Sequence, residues 1–207
     1  VGERGKIEMG KSTSADRPDL SYKEIYDMVY ENLEDYNKPT VHRNRHIDMY
    51  INQFILENKH DTILDVGCGA GHLLRKYHDQ GLNITGIEVS TICCNKYLSG
   101  LNYYNIDVID FANSVENKYD VLYCKGTLEH IRFEDLDLFL KACKKLSNRC
   151  LFGIANHVSW VNGIRLHVIR RNVPWWLYTI AQHFKVITEI GPERRSKYYI
   201  IKGENSE

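Results

Sequence analysis

Ile63-Leu64-Asp65-Val66-Gly67-Cys68-Gly69-Ala70-Gly71-His72-Leu73-Leu74 carries the reading of this chain. A short, mostly apolar strand runs into three glycines at alternate positions, and a helical pattern begins directly behind them. Gly67 and Gly69 let the backbone turn tightly and approach a ligand closely. Gly71 lets the helix start against the strand. A dinucleotide site favours the longer GxGxxG spacing, with a pyrophosphate at the helix N-terminus. Here the spacing is GxGxG, and Asp65 stands two residues before the first glycine. A carboxylate there repels a pyrophosphate and attracts an ammonium group. The loop therefore favours a cationic, amino-acid-like ligand.

Working outward, the next predicted strand, 84–88, ends in Glu88, where a carboxylate can accept both hydroxyls of a ribose. Ser90 then suits a helix cap. Further strands are predicted at 62–66, 104–106, 119–124 and 150–154, with helices at 72–80, near 91–98 and at 133–146. Apolar strands alternating with helices give a mostly parallel sheet covered on both faces. The tail reads as a long loop at 156–172, a helix at 174–183 opened by Pro174, and strands at 185–190 and 197–201. Gly191-Pro192 joins those two strands into a hairpin, which makes an antiparallel edge. Upstream, apolar residues at helical spacing predict helices at 22–32 and about 43–58. The expected organisation is a flexible lead-in at 1–20, N-terminal helices at 21–58 and the main domain at 59–202.

The 207 residues suit one α/β domain, and 27 basic against 27 acidic residues leave no net charge. That balance argues against a long nucleic-acid footprint, which draws on clustered Lys and Arg. The apolar runs are too short for a membrane span, and no signal-peptide hydrophobic region opens the sequence, so a cytoplasmic location is expected. Six cysteines form no CxxC pair and read as reduced, largely buried thiols. Gly5-Lys6-Ile7-Glu8-Met9-Gly10-Lys11-Ser12 formally matches a phosphate loop, but it lacks the strand and helix that aim such a loop at phosphates. No His, Cys or carboxylate group has metal-ligand spacing, so a metal-free reaction is expected.

At this point the motifs resemble those of the class I S-adenosylmethionine-dependent methyltransferases of small-molecule type. Leu64 to Gly71 looks like their first motif, and Gly86-Ile87-Glu88-Val89-Ser90 their second-strand motif. Asn105-Ile106-Asp107 is similar to their third-strand end, Lys118 to Tyr123 to their fourth-strand entry, and Leu128-Glu129-His130-Ile131 to the segment after it. The resemblance covers roughly residues 42 to 201. It implies a Rossmann-like, mostly parallel seven-stranded sheet with an antiparallel C-terminal hairpin and helices on both faces. It also implies S-adenosylmethionine as methyl donor, with S-adenosylhomocysteine as product. Asp65, Gly67, Cys68 and Gly69 would surround its methionine part, and Glu88 and Val89 its ribose. Asp107 would lie by the adenine amine with Val108 beside the ring, Asp110 being a rival for Asp107. Lys125 would contact the cofactor through its backbone.

Methyl transfer from a sulfonium requires the acceptor to be held in line and, for a hydroxyl, often deprotonated. His130, His157 and His167 all follow predicted strands and are candidate bases, and the sequence does not separate them. Arg170 and Arg171 suit a carboxylate or phosphate on the acceptor, or else a solvated face. Tyr22 and Tyr26 belong either to an acceptor-covering lid or to a packing helix. The expected substrate is a small molecule, anionic or sugar-linked, methylated at oxygen. Nucleic acid and membrane are not expected as partners, and the oligomeric state stays open. Two other readings stand: a cofactor-binding scaffold that has lost its chemistry, and a nicotinamide oxidoreductase, which the GxGxG spacing disfavours.

Overall fold

A computed structural model describes residues 17–32, 45–57, 62–189 and 198–205. The phosphate-loop match, most of the lead-in and the Gly191-Pro192 turn lie outside these residues. The first helix, α1 (Tyr22–Asn32), opens with a capping box. The Ser21 amide donates to Glu24 Oε2 at 2.8 Å, and the Glu24 amide donates to Ser21 Oγ at 3.3 Å. Next come α2 (Arg45–Glu57), β1 (Ile63–Val66), α3 (His72–Asp79) and β2 (Ile84–Glu88). They are followed by α4 (Thr91–Tyr97), β3 (Tyr103–Asn105), α5 (Val108–Ser114) and β4 (Val121–Lys125). A single 3-10 turn at Leu128–His130 leads to α6 (Leu136–Leu146) and β5 (Arg149–Ala155). The chain closes with β6 (Trp160–Val161), β7 (Ile164–Arg165), α7 (Val173–Ala181), β8 (Val186–Glu189) and β9 (Tyr198–Glu204).

Seven strands form one sheet in the order β3-β2-β1-β4-β5-β9-β8. The first five are parallel, and β9 runs antiparallel to both β5 and β8. Strand alternation divides the core into two layers. Leu64, Val66, Leu122, Cys124, Phe152 and Ile154 face α5, α6 and α7. Ile63, Val121, Tyr123 and Leu151 face α2, α3 and α4. Because β1 and β4 are neighbours while β2 and β5 lie on opposite outer sides, the order reverses between β1 and β4. Such a switch point opens a crevice at the carboxyl ends of the strands.

Two elements differ from the sequence expectations. The region after β3, where no helix is predicted, holds α5, with Asp107 as its cap: Oδ1 accepts from the Ile109 amide at 2.8 Å. The long loop at 156–172 contains the β6–β7 hairpin. Asn162 and Gly163, at φ 48° and 77°, make its two-residue turn. Asn-Gly favours this turn because both central residues need positive φ. The hairpin packs Val161, Ile164 and Leu166 against Ile25 and Val29 of α1, so helix and hairpin share a small core of their own. All six cysteines are free thiols, five of them buried.

Candidate functional site

Gly67 follows β1 with φ 71°, and a side chain there would collide with Thr127, which follows β4. The two strand ends thus approach as closely as a glycine allows. Gly69, at φ 54°, passes under α1, where a Cβ would lie 2.9 Å from the Tyr30 hydroxyl. Its amide donates to Glu88 Oε2 at 2.9 Å, while the Ser90 amide donates to Oε1, also at 2.9 Å. Glu88 is 5% exposed and ties the glycine loop to the end of β2. Burial pushes its carboxyl up and the backbone donors oppose this.

Gly67, Gly69, Glu88, Thr127 and Tyr30 line one cleft. Gly67, Gly69, Glu88, Val89, Asp107 and Val108 form its floor, and Tyr22, Tyr26 and His130 stand above. Asp107 reaches the cleft; its rival Asp110 is exposed in the first turn of α5 and does not line it. Three expected residues lie elsewhere. Asp65 sits behind the glycine loop at 4% exposure, opposite Tyr123 in register, and accepts from its hydroxyl at 2.6 Å. Burial raises its carboxyl to about 7, against the pull of Tyr123 and Lys125. Cys68 packs on Gly86, whose added Cβ would meet its Sγ at 2.8 Å. Lys125 ends β4 and also does not line the cleft.

The three histidines come together but are not equivalent. His130 lines the cleft; His167 stacks edge-on behind it, with ring centroids 4.6 Å apart, and His157 stacks on His167 at 4.6 Å. His130 Nδ1 lies 2.6 Å from the Tyr26 hydroxyl, and the ring also bonds the Leu166 carbonyl. A carbonyl only accepts, so the ring N–H goes to Leu166 and Nδ1 accepts the Tyr26 proton. Burial and the neighbouring imidazoles hold His130 down to about 3, and burial holds His167 down to about 4. Arg170 and Arg171 are exposed and do not line the cleft; Arg171 lies over the Trp175 ring at 5.7 Å.

Sequence reasoning missed Tyr30, Thr127, Ile131 and Phe139 as cleft residues. Tyr30 was signalled by the four-residue spacing of Tyr22, Tyr26 and Tyr30, which puts three phenols on one helical face. It also missed that Glu129, His130 and His167 place one potential metal-ligand atom each within 4.8 Å of one another. Linear spacing separates these residues, and the fold joins them through the Ile169 amide, which donates to the Glu129 carbonyl at 3.1 Å. Both His130 nitrogens already have partners, so the set fits a polar core better than a metal centre. The helix α1 is fastened over the cleft at several points. Asp27 Oδ1 accepts from Ser90 Oγ at 2.7 Å and the Ile92 amide at 3.0 Å, and Lys96 Nζ donates to the Tyr30 carbonyl at 2.8 Å.

The buried acids and histidines set the pH dependence of stability. Glu129, fully buried and raised to about 8, keeps in the folded state a proton that the unfolded chain releases near 4.5. Its contribution is therefore complete below the unfolded value and is lost as pH rises towards 8; Asp65 acts in the same direction up to about 7. His130 and His167 act oppositely, because the unfolded chain gains protons below 6.5 that the folded one refuses. Thermal unfolding should show a maximum near about pH 6 and fall on both sides. Glu129→Gln should flatten the alkaline side; an unchanged alkaline limb would refute this assignment.

A parallel sheet with its cleft at the switch point, a GxGxG loop and a strand-end acid define a Rossmann-like nucleoside-binding enzyme fold. A family model described as a methyltransferase domain matches residues 40–189. The chain belongs to this methyltransferase family, a branch of the class I S-adenosylmethionine-dependent enzymes whose methyl donor is S-adenosylmethionine. The ubiquinone biosynthesis O-methyltransferase of Hydrogenovibrio crunogenus is 40% identical over 90 residues, 40% of this chain and 36% of that protein. Its counterpart from Rickettsia prowazekii is 34% identical over 103 residues, 44% of this chain and 40% of that protein. The chain thus spans about two fifths of the length of these curated relatives. Among solved structures, the 1,6-didemethyltoxoflavin-N1-methyltransferase of Burkholderia thailandensis, holding S-adenosylhomocysteine, superposes with TM-score 0.65 at 14% identity over 93% of each chain. The magnesium protoporphyrin IX methyltransferase of Synechocystis, with S-adenosylmethionine bound, gives 0.65 at 14% identity over 90% of this chain and 98% of that one. At that identity the likeness is one of fold. Among the described residues, no helix is long and apolar enough to cross a membrane.

Proposed function

We propose that this chain transfers the methyl group of S-adenosylmethionine to a hydroxyl of a small, anionic or sugar-linked acceptor. The observation that carries the reading is the cleft that the Glu88-anchored glycine loop shares with Tyr26 and His130. The residues fit the cofactor. Each Glu88 oxygen takes one backbone N–H and keeps a second lone pair for a ribose hydroxyl. Gly67 and Gly69 present bare backbone to the cleft, which a methionine moiety can approach closely, and Asp65 lies behind them, where a bound ammonium group would favour its ionised form. Asp107 and Val108 lie where an adenine edge and face would rest. The bound cofactor supplies an electrophilic methyl carbon.

His130 acts as the base. Its neutral imidazole accepts from the Tyr26 hydroxyl at Nδ1. The acceptor therefore gives its proton to the Tyr26 oxygen while that phenol passes its own to Nδ1, the acceptor O–H becoming strongly acidic as the new C–O bond forms. A base held low by burial suffices for that proton. Helix α1 and the β6–β7 hairpin cover the acceptor and exclude water. Oxygen is favoured over nitrogen by the names of the two curated relatives. The enzyme works in the cytoplasm without a metal. Calorimetric titration with S-adenosylhomocysteine tests the reading, and micromolar binding is the expected result. A folded chain that binds none would overturn it and leave a scaffold role.

A further inference from the structure

A second, small cavity adjoins the cleft and shares Tyr22, Tyr26 and His130 with it. Its other polar side chains are Arg17, Arg132 and Arg165, and among the described residues no acidic one lines it. Arg17 is neutralised by Asp19 at 2.6 Å. Asp19 also acts on Arg132 at longer range, but Arg132 and Arg165 have no carboxylate partner among the described residues. They are fixed instead by carbonyls and an aromatic face. One terminal nitrogen of Arg132 donates to the Arg17 and Leu20 carbonyls, and its guanidinium lies 4.9 Å over the Tyr22 ring. Arg165 Nε donates to the His167 carbonyl at 2.9 Å. Each guanidinium therefore keeps N–H donors unspent. The remaining walls include Ile25, Ile164 and Leu166, which keep the local dielectric low.

We propose that this cavity is the anion subsite of the acceptor site: Arg132 and Arg165 hold a carboxylate of the acceptor while its hydroxyl reaches Tyr26 and His130. The inference rests on the methyl-transfer reading of the main cleft and assigns its substrate class, a hydroxylated carboxylic acid. Two guanidinium groups on one cavity, each with unspent donors, match the two oxygens of a carboxylate. The subsite stands in place of Arg170 and Arg171, the pair the sequence offered for this role.

The test is calorimetric titration of the chain saturated with S-adenosylhomocysteine, using 3-hydroxybenzoate, its methyl ester and 3-hydroxyphenyl phosphate. The acid should bind roughly tenfold tighter than the ester, as the loss of a charge-assisted pair demands. Arg165→Gln should erase that preference, Arg165→Lys should restore part of it, and both should bind S-adenosylhomocysteine as the parent does. Arg132→Gln should act alike, although it also frees the start of α1, so Arg165 is the cleaner probe. Equal binding of acid and ester, no binding of the acid, or a preference that survives Arg165→Gln overturns the subsite. Tighter binding of the phosphate ester overturns the carboxylate assignment. Failure of the parent chain to bind S-adenosylhomocysteine would instead overturn the reading on which the subsite rests.

Discussion

The Glu88→Ala chain is expected to bind S-adenosylhomocysteine roughly a hundredfold more weakly than the parent. Two charge-assisted hydrogen bonds to a ribose contribute about 1.5–3 kcal/mol each, and a hundredfold corresponds to about 2.7 kcal/mol. Truncation also leaves the amides of Gly69 and Ser90 without their acceptors, so the loop that meets the methionine part loosens at the same time. Glu88→Gln separates the two effects. Its amide keeps the shape but has one accepting oxygen, so it satisfies one of the two amides and turns a donor towards the other. A loss of roughly tenfold is expected for it. Thermal unfolding of the ligand-free variants reports the structural part, and titration reports the rest. If Glu88→Ala unfolds at a lower temperature yet binds the ligand normally, Glu88 is a staple of the loop and nothing more.

The parts of this site that were legible in the sequence share one property: they lie within a few residues of a strand end. Gly67, Asp107 and His130 follow β1, β3 and β4, Glu88 ends β2, and the topology of a doubly wound sheet sends all such positions to one edge. Helix α5 was illegible because the strand before it is three residues long and largely exposed, which leaves no apolar run to frame it. What nucleates it is the Asp107 side chain, which the sequence offered chiefly as a ligand contact. The β6–β7 hairpin has strands of two residues, too short for any alternation to register, and Asn162-Gly163 was its one signal. Arg17, Arg132 and Arg165 could not be grouped from sequence. They come from three separate segments, and only the packing of α1 on the hairpin brings their guanidinium groups around one cavity. The same packing ranks the histidines, since it leaves His130 on the cleft and puts His167 and His157 behind it.

His130→Gln should lower kcat by about 10²–10⁴, the usual contribution of a positioned base, while the affinity for S-adenosylhomocysteine changes little. Glutamine can still accept from Tyr26 and donate to Leu166, so the polar core is kept and the lost property is basicity. The pH profile gives a second signature. A base must be unprotonated to act, and an ordinary histidine would lose activity as pH falls through 6.5. Burial holds His130 down to about 3, so the parent enzyme should keep its kcat through pH 5. Tyr26→Phe should cost less, because Nδ1 is then free to take the acceptor hydroxyl directly, with KM rather than kcat bearing the change. A His130→Gln chain that keeps more than about a third of the parent kcat would remove His130 as the base. Methyl transfer would then rest on alignment alone, which by itself can supply several kcal/mol of the barrier reduction.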